Sequence, residues 1–262
     1  MHNFEFVRPS SLADAVAALA SDGAQPLSGG QTLIPTMKQR LNAPDMLVSL
    51  TGIPELKGVC RGDGGVHIGA ATPHGVVAQQ AAGIYPALAK LAGGIGDPAV
   101  RSRGTIGGSL ANNDPSACYP AAVLASGATI VTNRRSIAAD DYFQGMFSTA
   151  LDEGEIIIEV RFPIPQAAAY VKFEQPASRF ALTAVFVARY AGGVRVAITG
   201  ASNDGVFRWA EAEAALTASF APSVLEGLSL SGDNMISDLH GTGAYRAHMC
   251  KVLTKRAVLA AA

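Results

Sequence analysis

Two glycine-rich stretches carry the clearest chemical signal in this chain of 262 residues. The first is Ser28-Gly29-Gly30-Gln31-Thr32, which lies between a strand pattern and a helical pattern. Paired glycines allow a sharp turn and a close approach of the backbone to a ligand. Successive N–H groups in such a turn form a concave site for an anion. The stretch predicts a phosphate-binding turn, although taken alone it is equally typical of a plain tight turn.

The second stretch, Gly104-Thr105-Ile106-Gly107-Gly108-Ser109, repeats this chemistry, with Arg101 and Arg103 just before it. One such turn suits a single phosphate, whereas two turns suit a pyrophosphate. Neither stretch matches G-x-x-x-x-G-K-[ST] or G-x-G-x-x-G, so a P-loop and a Rossmann dinucleotide site are excluded. We expect the backbones of Gly30 and Gly107 to approach phosphate oxygens so closely that a side chain at either position would clash.

No other residues predict a catalytic or a metal site. Cys60, Cys118 and Cys250 are far apart and form no C-x-x-C motif, which excludes a zinc site or an iron–sulfur cluster within this chain. The five histidines show no ligand spacing, and Asp140-Asp141 is more typical of a turn or cap than of a catalytic pair. We therefore expect no catalytic side chain and no metal. Such a chain fits chemistry that belongs to a bound cofactor.

The elements that would position the two turns are short strands mixed with helices. This mixture predicts an α+β fold rather than a doubly wound parallel sheet. Apolar spacing and turn signals predict helices that start at 12 and 33, then helices at 73–81, 86–91, before 124, 211–217 and 245–259. The predicted strands are 46–50, 66–70, 128–132, 155–162 and a hairpin of 183–190 with 194–199.

The composition limits the class of protein. The chain is 49% hydrophobic and only 16% charged, with a formal net charge of -1. These values exclude a disordered chain and argue against a general nucleic-acid binder. The low charged fraction also predicts that part of the surface is covered by other chains. Sparse cysteines, and the lack of a visible signal peptide or apolar span, predict a soluble cytoplasmic protein.

The two stretches, with the residues around them, resemble one known family. Ser28-Gly29-Gly30-Gln31-Thr32-Leu33 is similar to the first flavin loop, and Arg101 to Ala111 with Asp114-Pro115 is similar to the second flavin loop, of FAD-binding medium subunits of molybdenum hydroxylases. This is the xanthine dehydrogenase and aerobic carbon monoxide dehydrogenase group. Further matches follow in order along nearly the whole chain: 68–72, 155–157, 162–163, 172–173 and 176–181.

The resemblance implies a fold and a division into domains. The fold would be the FAD-binding α+β fold of the vanillyl-alcohol-oxidase and para-cresol-methylhydroxylase type. It would occupy residues 1–168 in two subdomains, about 1–55 and 56–168. Residues 169–262 would form a small C-terminal domain of antiparallel strands and helices.

The resemblance also implies which residues hold FAD. Residues 27–34 would lie on one side of the pyrophosphate and residues 105–109 on the other. Ile95 would pack against the cofactor, Ile157 would lie near the isoalloxazine ring, and Lys172 or a neighbour would also lie near that ring. The full expected set is Leu27, Ser28, Gly29, Gly30, Gln31, Thr32, Leu33, Ile34, Ile95, Thr105, Ile106, Gly107, Gly108, Ser109, Asp114, Cys118, Ile157 and Lys172.

Two positions depart from the family pattern. Cys118 stands where many members have an aspartate that contacts FAD, and Asp114 is the candidate to replace that contact. Gln31 stands where some relatives have a histidine. Covalent attachment of the flavin at this position is therefore not expected, and FAD should be bound non-covalently.

By resemblance, the chain would carry electrons within a complex. They would arrive from the [2Fe–2S] clusters of a small subunit, after a large subunit with a molybdenum cofactor oxidises the substrate. The acceptor would be NAD⁺, a quinone or another molecule, and the assembly a dimer of heterotrimers. One alternative is a stand-alone flavin oxidase or reductase of the same fold. Another is a nucleotide-binding or assembly protein without redox activity.

Overall fold

The computed structural model describes residues 1–261, which form strands and helices. The strands are β1 (Glu5–Val7), β2 (Ala24–Leu27), β3 (Met46–Ser49), β4 (Val59–Gly62), β5 (Gly65–Gly69), β6 (Thr129–Thr132), β7 (Ser136–Ala138), β8 (Phe143–Gly145), β9 (Ser148–Thr149), β10 (Ile157–Pro163), β11 (Ala167–Glu174), β12 (Ala181–Tyr190), β13 (Gly193–Ser202) and β14 (Gly205–Arg208). The helices are α1 (Leu12–Ala18), α2 (Leu33–Lys38), α3 (His74–Gln80), α4 (Pro86–Gly93), α5 (Pro98–Arg103), α6 (Ile106–Asn112), α7 (Tyr119–Ser126), α8 (Ala139–Tyr142), α9 (Ala210–Ala218) and α10 (Gly243–Ala261).

The first sheet is parallel, with the strand order β1-β3-β2. Helix α1 connects β1 to β2, and its first turn is capped by Ser11, whose hydroxyl accepts the N–H of Asp14 at 3.1 Å. Ala15 of this helix is buried against Val48. Because β2 and β3 are parallel neighbours, both strands end at the same edge of the sheet. The first glycine stretch follows β2 at this edge.

The second sheet is antiparallel, with the order β4-β5-β10-β6-β7. In β10 the buried side chains of Val160 and Phe162 alternate with the exposed Arg161, which is the pattern of a strand with one face in the core. The β10–β6 pairing is irregular between Ile157 and Glu159. This irregularity lies at the start of β10, where the strand enters the cleft described below.

The third sheet is antiparallel, with the order β11-β12-β13-β14. Helices α9 and α10 pack on it, and α7 lies between it and the second sheet. Every side chain of α7 is buried, as expected for a helix that is apolar on all sides. Residues 181–188 of β12 are all buried, because helices cover both faces of this strand.

The structure confirms the predicted α+β class. The sequence patterns did not predict β11, α5 and α6, since alanine-rich and glycine-rich segments lack a clear apolar period. The segment that joins the second sheet to the third is 164–166, just before the expected start of a C-terminal domain at 169. The division into domains 1–168 and 169–262 stays a prediction. None of the helices within residues 1–261 combines the length and the apolar character needed to cross a bilayer.

Candidate functional site

A cleft of about 820 Å³ is lined by residues at the edges of the first and second sheets and by the loop after β11. This volume is in the upper part of the range for sites that bury small molecules and cofactors. Both glycine stretches line it, together with the ends of β3 and β5 and the start of β10. The loop after β11 contributes Ser178, Arg179 and Phe180 to its wall. Distant parts of the chain therefore build one concave surface.

The first glycine stretch presents unused backbone donors to this cleft. Gly30 has a φ of +68°, a conformation that glycine adopts without strain. The N–H groups of residues 29–33 donate no hydrogen bond to any residue in the described part of the chain. All five residues line the cleft. Five consecutive free N–H groups beside a cavity form a site for a phosphate or another anion.

Most backbone N–H groups of the second glycine stretch already donate to other groups of the protein. Thr105 caps α6, and its hydroxyl accepts the N–H of Gly108 at 3.2 Å. The N–H of Gly107 donates to the carbonyl of Ala70 at 2.9 Å. A Cβ at Gly107 would lie 2.6 Å from the Cβ of Ala70. The glycine therefore lets α6 pack against the end of β5. Its close approach to a phosphate stays a prediction.

The two stretches touch each other. The hydroxyl oxygens of Ser28 and Thr105 are 2.8 Å apart and share a hydrogen bond. A Cβ at Gly29 would lie only 2.3 Å from the carbonyl oxygen of Arg103. This glycine therefore allows the contact between the stretches, which makes them one polar rim of the cleft.

The remaining wall of the cleft is mostly apolar. Leu50, Leu56 and Ile156, which belong to one apolar cluster, line it together with Ile157. Cys118 is buried at the wall, and burial raises the pKa of its thiol. A thiol with a raised pKa is a poor nucleophile, so Cys118 acts here as a small apolar residue. The cleft thus joins a donor-rich rim to an apolar interior, which suits a ligand with a charged and an aromatic part.

Glu155 lines the cleft with a buried carboxylate that is fully paired. Arg135 donates to both of its oxygens at 3.1 and 3.0 Å, and Thr132 donates at 2.6 Å. The N–H of Asp152 adds a bond of 2.8 Å. Burial opposes ionisation of Glu155, but these donors outweigh burial and lower its pKa to about 2. The carboxylate anchors the segment before β10.

His74 also lines the cleft, at the start of α3, and is buried. Burial, with a smaller contribution from the nearby charge of Arg101, lowers its pKa from 6.5 to about 4. The ring is therefore neutral at neutral pH. Its Nδ1 is buried and has no hydrogen-bond partner in the described residues. The ring lies 5.3 Å from that of Tyr119, centroid to centroid.

Comparison with known proteins identifies the family. The model of the FAD-binding domain in molybdopterin dehydrogenase matches residues 2–165. The chain is 35% identical to the carbon monoxide dehydrogenase medium chain of Afipia carboxidovorans, over 98% of this chain and 96% of the relative. The chain belongs to the FAD-binding medium subunits of the molybdenum hydroxylases.

Other relatives agree with this assignment. The chain is 33% identical to the glyceraldehyde dehydrogenase medium chain of Sulfolobus acidocaldarius, over 97% of this chain and 96% of the relative. Among solved structures, a chain of the reconstituted CO dehydrogenase from Oligotropha carboxidovorans matches with a TM-score of 0.90 and 32% identity, covering 99% of this chain and 98% of that one. The medium subunit is thus an oxidoreductase subunit with the fold implied by the resemblance.

The cleft fits the cofactor of this family. The free N–H groups of residues 29–33 suit the pyrophosphate of FAD, and the apolar wall suits its ring system. No group of three or more His, Cys, Asp or Glu within residues 1–261 is placed to hold a metal ion.

The structure brings most of the expected site residues of the medium subunit to this cleft. Those that line it are Leu27, Ser28, Gly29, Gly30, Gln31, Thr32, Leu33, Ile95, Thr105, Gly107, Gly108, Ser109, Asp114, Cys118 and Ile157. Their contact with FAD stays a prediction. Asp114 binds the N–H of Ser116 through one carboxylate oxygen at 2.8 Å, and Gln31 donates its amide to the carbonyl of Gly29 at 3.2 Å.

Three expected residues, Ile34, Ile106 and Lys172, do not line the cleft, and their contact with FAD stays a prediction. Ile106 is fully buried in the core beneath α6, and the side chain of Ile34 packs towards Gly30 from α2. The ammonium of Lys172 is bonded to the carbonyls of Gly94 and Arg179. Leu33, Thr105 and Gly107 line the cleft beside Ile34 and Ile106, and helical geometry turns these two side chains elsewhere.

Sequence reasoning missed other residues of the wall. These include Leu50, Leu56, Ala70, Ala71, His74, Gly96, Glu155, Ile156, Ser178, Arg179 and Phe180. Several fall in the segments 68–72, 155–157 and 176–181, which resemble the family without an assigned role. Those short matches were the signal that could have found them.

Proposed function

We propose that this medium subunit binds FAD non-covalently in the cleft and relays electrons within a molybdenum hydroxylase complex. The carrying observation is the row of free N–H groups of residues 29–33 at the cleft. When bound, FAD exchanges electrons with donors and acceptors. The protein contributes the anion site, the apolar wall that excludes water, and the loop 178–180 at the wall.

We propose that substrate oxidation takes place on a partner chain. Relatives that are 35%, 33% and 31% identical to this chain are named for carbon monoxide, glyceraldehyde and nicotine, respectively. Each of these matches spans almost the whole chain. Because medium chains of similar sequence serve such different substrates, substrate choice fits another subunit. The electrons would reach this chain from [2Fe–2S] clusters of a small subunit and leave to an external acceptor.

Exposed apolar side chains support the proposal of partner subunits. Phe6, Leu41, Phe147, Leu239 and Leu259 are large and exposed. Together with the low charged fraction, they fit a surface that large and small partner chains cover in a dimer of heterotrimers.

The anion site can be tested with a matched pair of glycine variants. Gly30 and Gly64 have φ values of +68° and +75°, so alanine is strained to a similar degree at both. Gly64 has open space around it in the β4–β5 turn. Both variants should lose about 1 kcal/mol of stability from backbone strain. Gly30→Ala should lose more, because its Cβ would lie 3.0 Å from Ile34 and 3.2 Å from Leu27. Only Gly30→Ala should weaken FAD binding in a fluorescence titration; equal FAD affinities in the two variants would refute the site.

The relay role is tested on the full chain, alone and with its partners. Acid should release FAD into the supernatant, and flavin that stays on the denatured protein would refute non-covalent binding. The chain alone should pass electrons from dithionite to an artificial acceptor. It should need the molybdenum and iron–sulfur subunits before a substrate reduces the flavin. Substrate turnover by the single chain would instead support a stand-alone flavin oxidase.

A further inference from the structure

Positively charged side chains bind the backbone carbonyl groups of the turn between α4 and α5. The Gly94 carbonyl accepts from the ammonium of Lys172 at 2.7 Å. Arg101 donates to the carbonyls of Ile95 and Gly96 at 3.0 and 2.8 Å. Three consecutive carbonyls therefore each bind a charged donor, and such bonds are stronger than those between neutral groups.

Lys172 is the member of this network that joins distant parts of the chain. It projects from β11 of the third sheet, and only 8% of its side chain is exposed. Besides Gly94, its ammonium binds the carbonyl of Arg179 at 2.9 Å and lies 3.2 Å from the carboxylate of Glu174. An ammonium has three donors, and these three acceptors match that number.

The two segments that Lys172 joins are neighbouring parts of the cleft wall that lie far apart in the sequence. Ile95 and Gly96 belong to one segment, and Arg179 and Phe180 belong to the other. Arg179 has a φ of +61°, and half of the Phe180 side chain is exposed. Backbone bonds from the N–H groups of Gln175 and Arg179 close the loop on itself, but they do not join it to the Ile95 turn. The guanidinium of Arg179 reaches Gly96 only at 3.4 Å. The hydrogen bonds of the Lys172 ammonium are therefore shorter than that of Arg179, and the Lys172 side chain is better shielded from solvent.

We propose that Lys172 is a positioning residue of the flavin site. Its ammonium fixes the distance between the Ile95 turn and the 178–180 loop, and thereby sets the surroundings of bound FAD without touching it. This inference rests on the proposed function. It replaces the expected direct contact between Lys172 and the isoalloxazine ring.

The test compares Lys172→Met and Lys172→Gln with Lys172→Arg, and with Lys90→Met at an exposed position of α4 as the matched control. The full chain is used, with and without FAD. In both the Met and Gln variants, hydrogen exchange should rise in segments 93–97 and 176–181, even without FAD. FAD affinity should fall about tenfold, which corresponds to the loss of one hydrogen bond from a charged donor.

The spectroscopic readout separates positioning from a merely structural role. The visible circular dichroism and the reduction potential of bound FAD should change in the Met and Gln variants, return towards the wild type in Lys172→Arg, and stay unchanged in Lys90→Met. If the wild type binds FAD but Lys172→Met leaves the hydrogen exchange, the dichroism and the reduction potential unchanged, the role of Lys172 is refuted while the proposed function stands. A wild-type chain that binds no FAD would instead overturn the proposed function.

Discussion

The hydroxyl oxygens of Ser28 and Thr105 lie 2.8 Å apart, and this contact joins two glycine stretches that are 77 residues apart in the chain. Thr105 is buried, and the same hydroxyl caps α6 through the N–H of Gly108. Its position therefore depends on both partners. Ser28 follows β2 directly, so the contact fixes the edge of the first sheet against the start of α6.

The first prediction concerns this pair. Thr105→Val keeps the shape of the side chain but removes the cap and the bond to Ser28, so it should lower the free energy of unfolding by about 2 kcal/mol. Ser28→Ala should cost less, about 1 kcal/mol. Urea unfolding of both single variants and the double variant measures their coupling. Thr105→Ser should restore most of the stability, whereas strictly additive losses would show that the contact contributes nothing.

The second prediction separates packing from cofactor contact at Gly107. In Gly107→Ala the new Cβ would meet the Cβ and carbonyl oxygen of Ala70 at 2.6 and 2.8 Å. The variant should lose about 1–3 kcal/mol of stability from overpacking, already in the absence of FAD. Thermal unfolding of the FAD-free protein checks this. Gly83→Ala, where a Cβ has no neighbour within 4 Å, is the control and should unfold at nearly the wild-type temperature.

The third prediction concerns the acid range and Glu155. Its pKa is about 2 in the folded chain, against 4.5 for a free carboxyl group. A lowered carboxyl pKa stabilises the fold above about pH 4.5, and this contribution is lost as the pH falls towards 2. Glu155→Gln should lower the free energy of unfolding at neutral pH by about 2 kcal/mol. It should also make the fall in the free energy of unfolding between pH 4.5 and 2 less steep.

Urea midpoints at neutral pH and near pH 3 measure the effect of Glu155. Glu153→Gln, at an exposed position two residues away, should keep the wild-type profile. If Glu155→Gln declined as steeply as the wild type between these pH values, another carboxylate would be responsible.

The fourth prediction concerns His74 in a higher pH range. Because burial lowers its pKa to about 4, the unfolded chain binds a proton between pH 6.5 and 4 that the folded chain does not. The contribution of His74 to the free energy of unfolding should therefore be fully present above pH 6.5 and be lost as the pH falls from 6.5 to 4. His74→Gln should weaken this dependence, while His248→Gln at an exposed site of α10 should not. NMR titration of the His74 ring should show a neutral imidazole at pH 6.

The sequence determined the local chemistry of this medium subunit. Ser28 to Thr32 form the predicted turn, because glycine adopts backbone conformations that other residues avoid. Thr105 to Ser109 form the capped start of α6 and not the predicted second turn. The order of motifs along the chain was sufficient to indicate the family and FAD, since such motifs depend on neighbouring residues. The apolar runs of β10 and β12 likewise predicted strands.

Only the tertiary structure decided which residues meet. Ser28 contacts Thr105, Glu155 binds Arg135, and Lys172 binds the Gly94 carbonyl, all across long separations in the chain. It also turned Lys172 and Ile106 away from the cleft and brought His74 to it. Local sequence fixes the turn, the strand or the helix, but the direction of a side chain depends on how these elements pack together. Packing is set by burial summed over the whole core, which no single segment encodes.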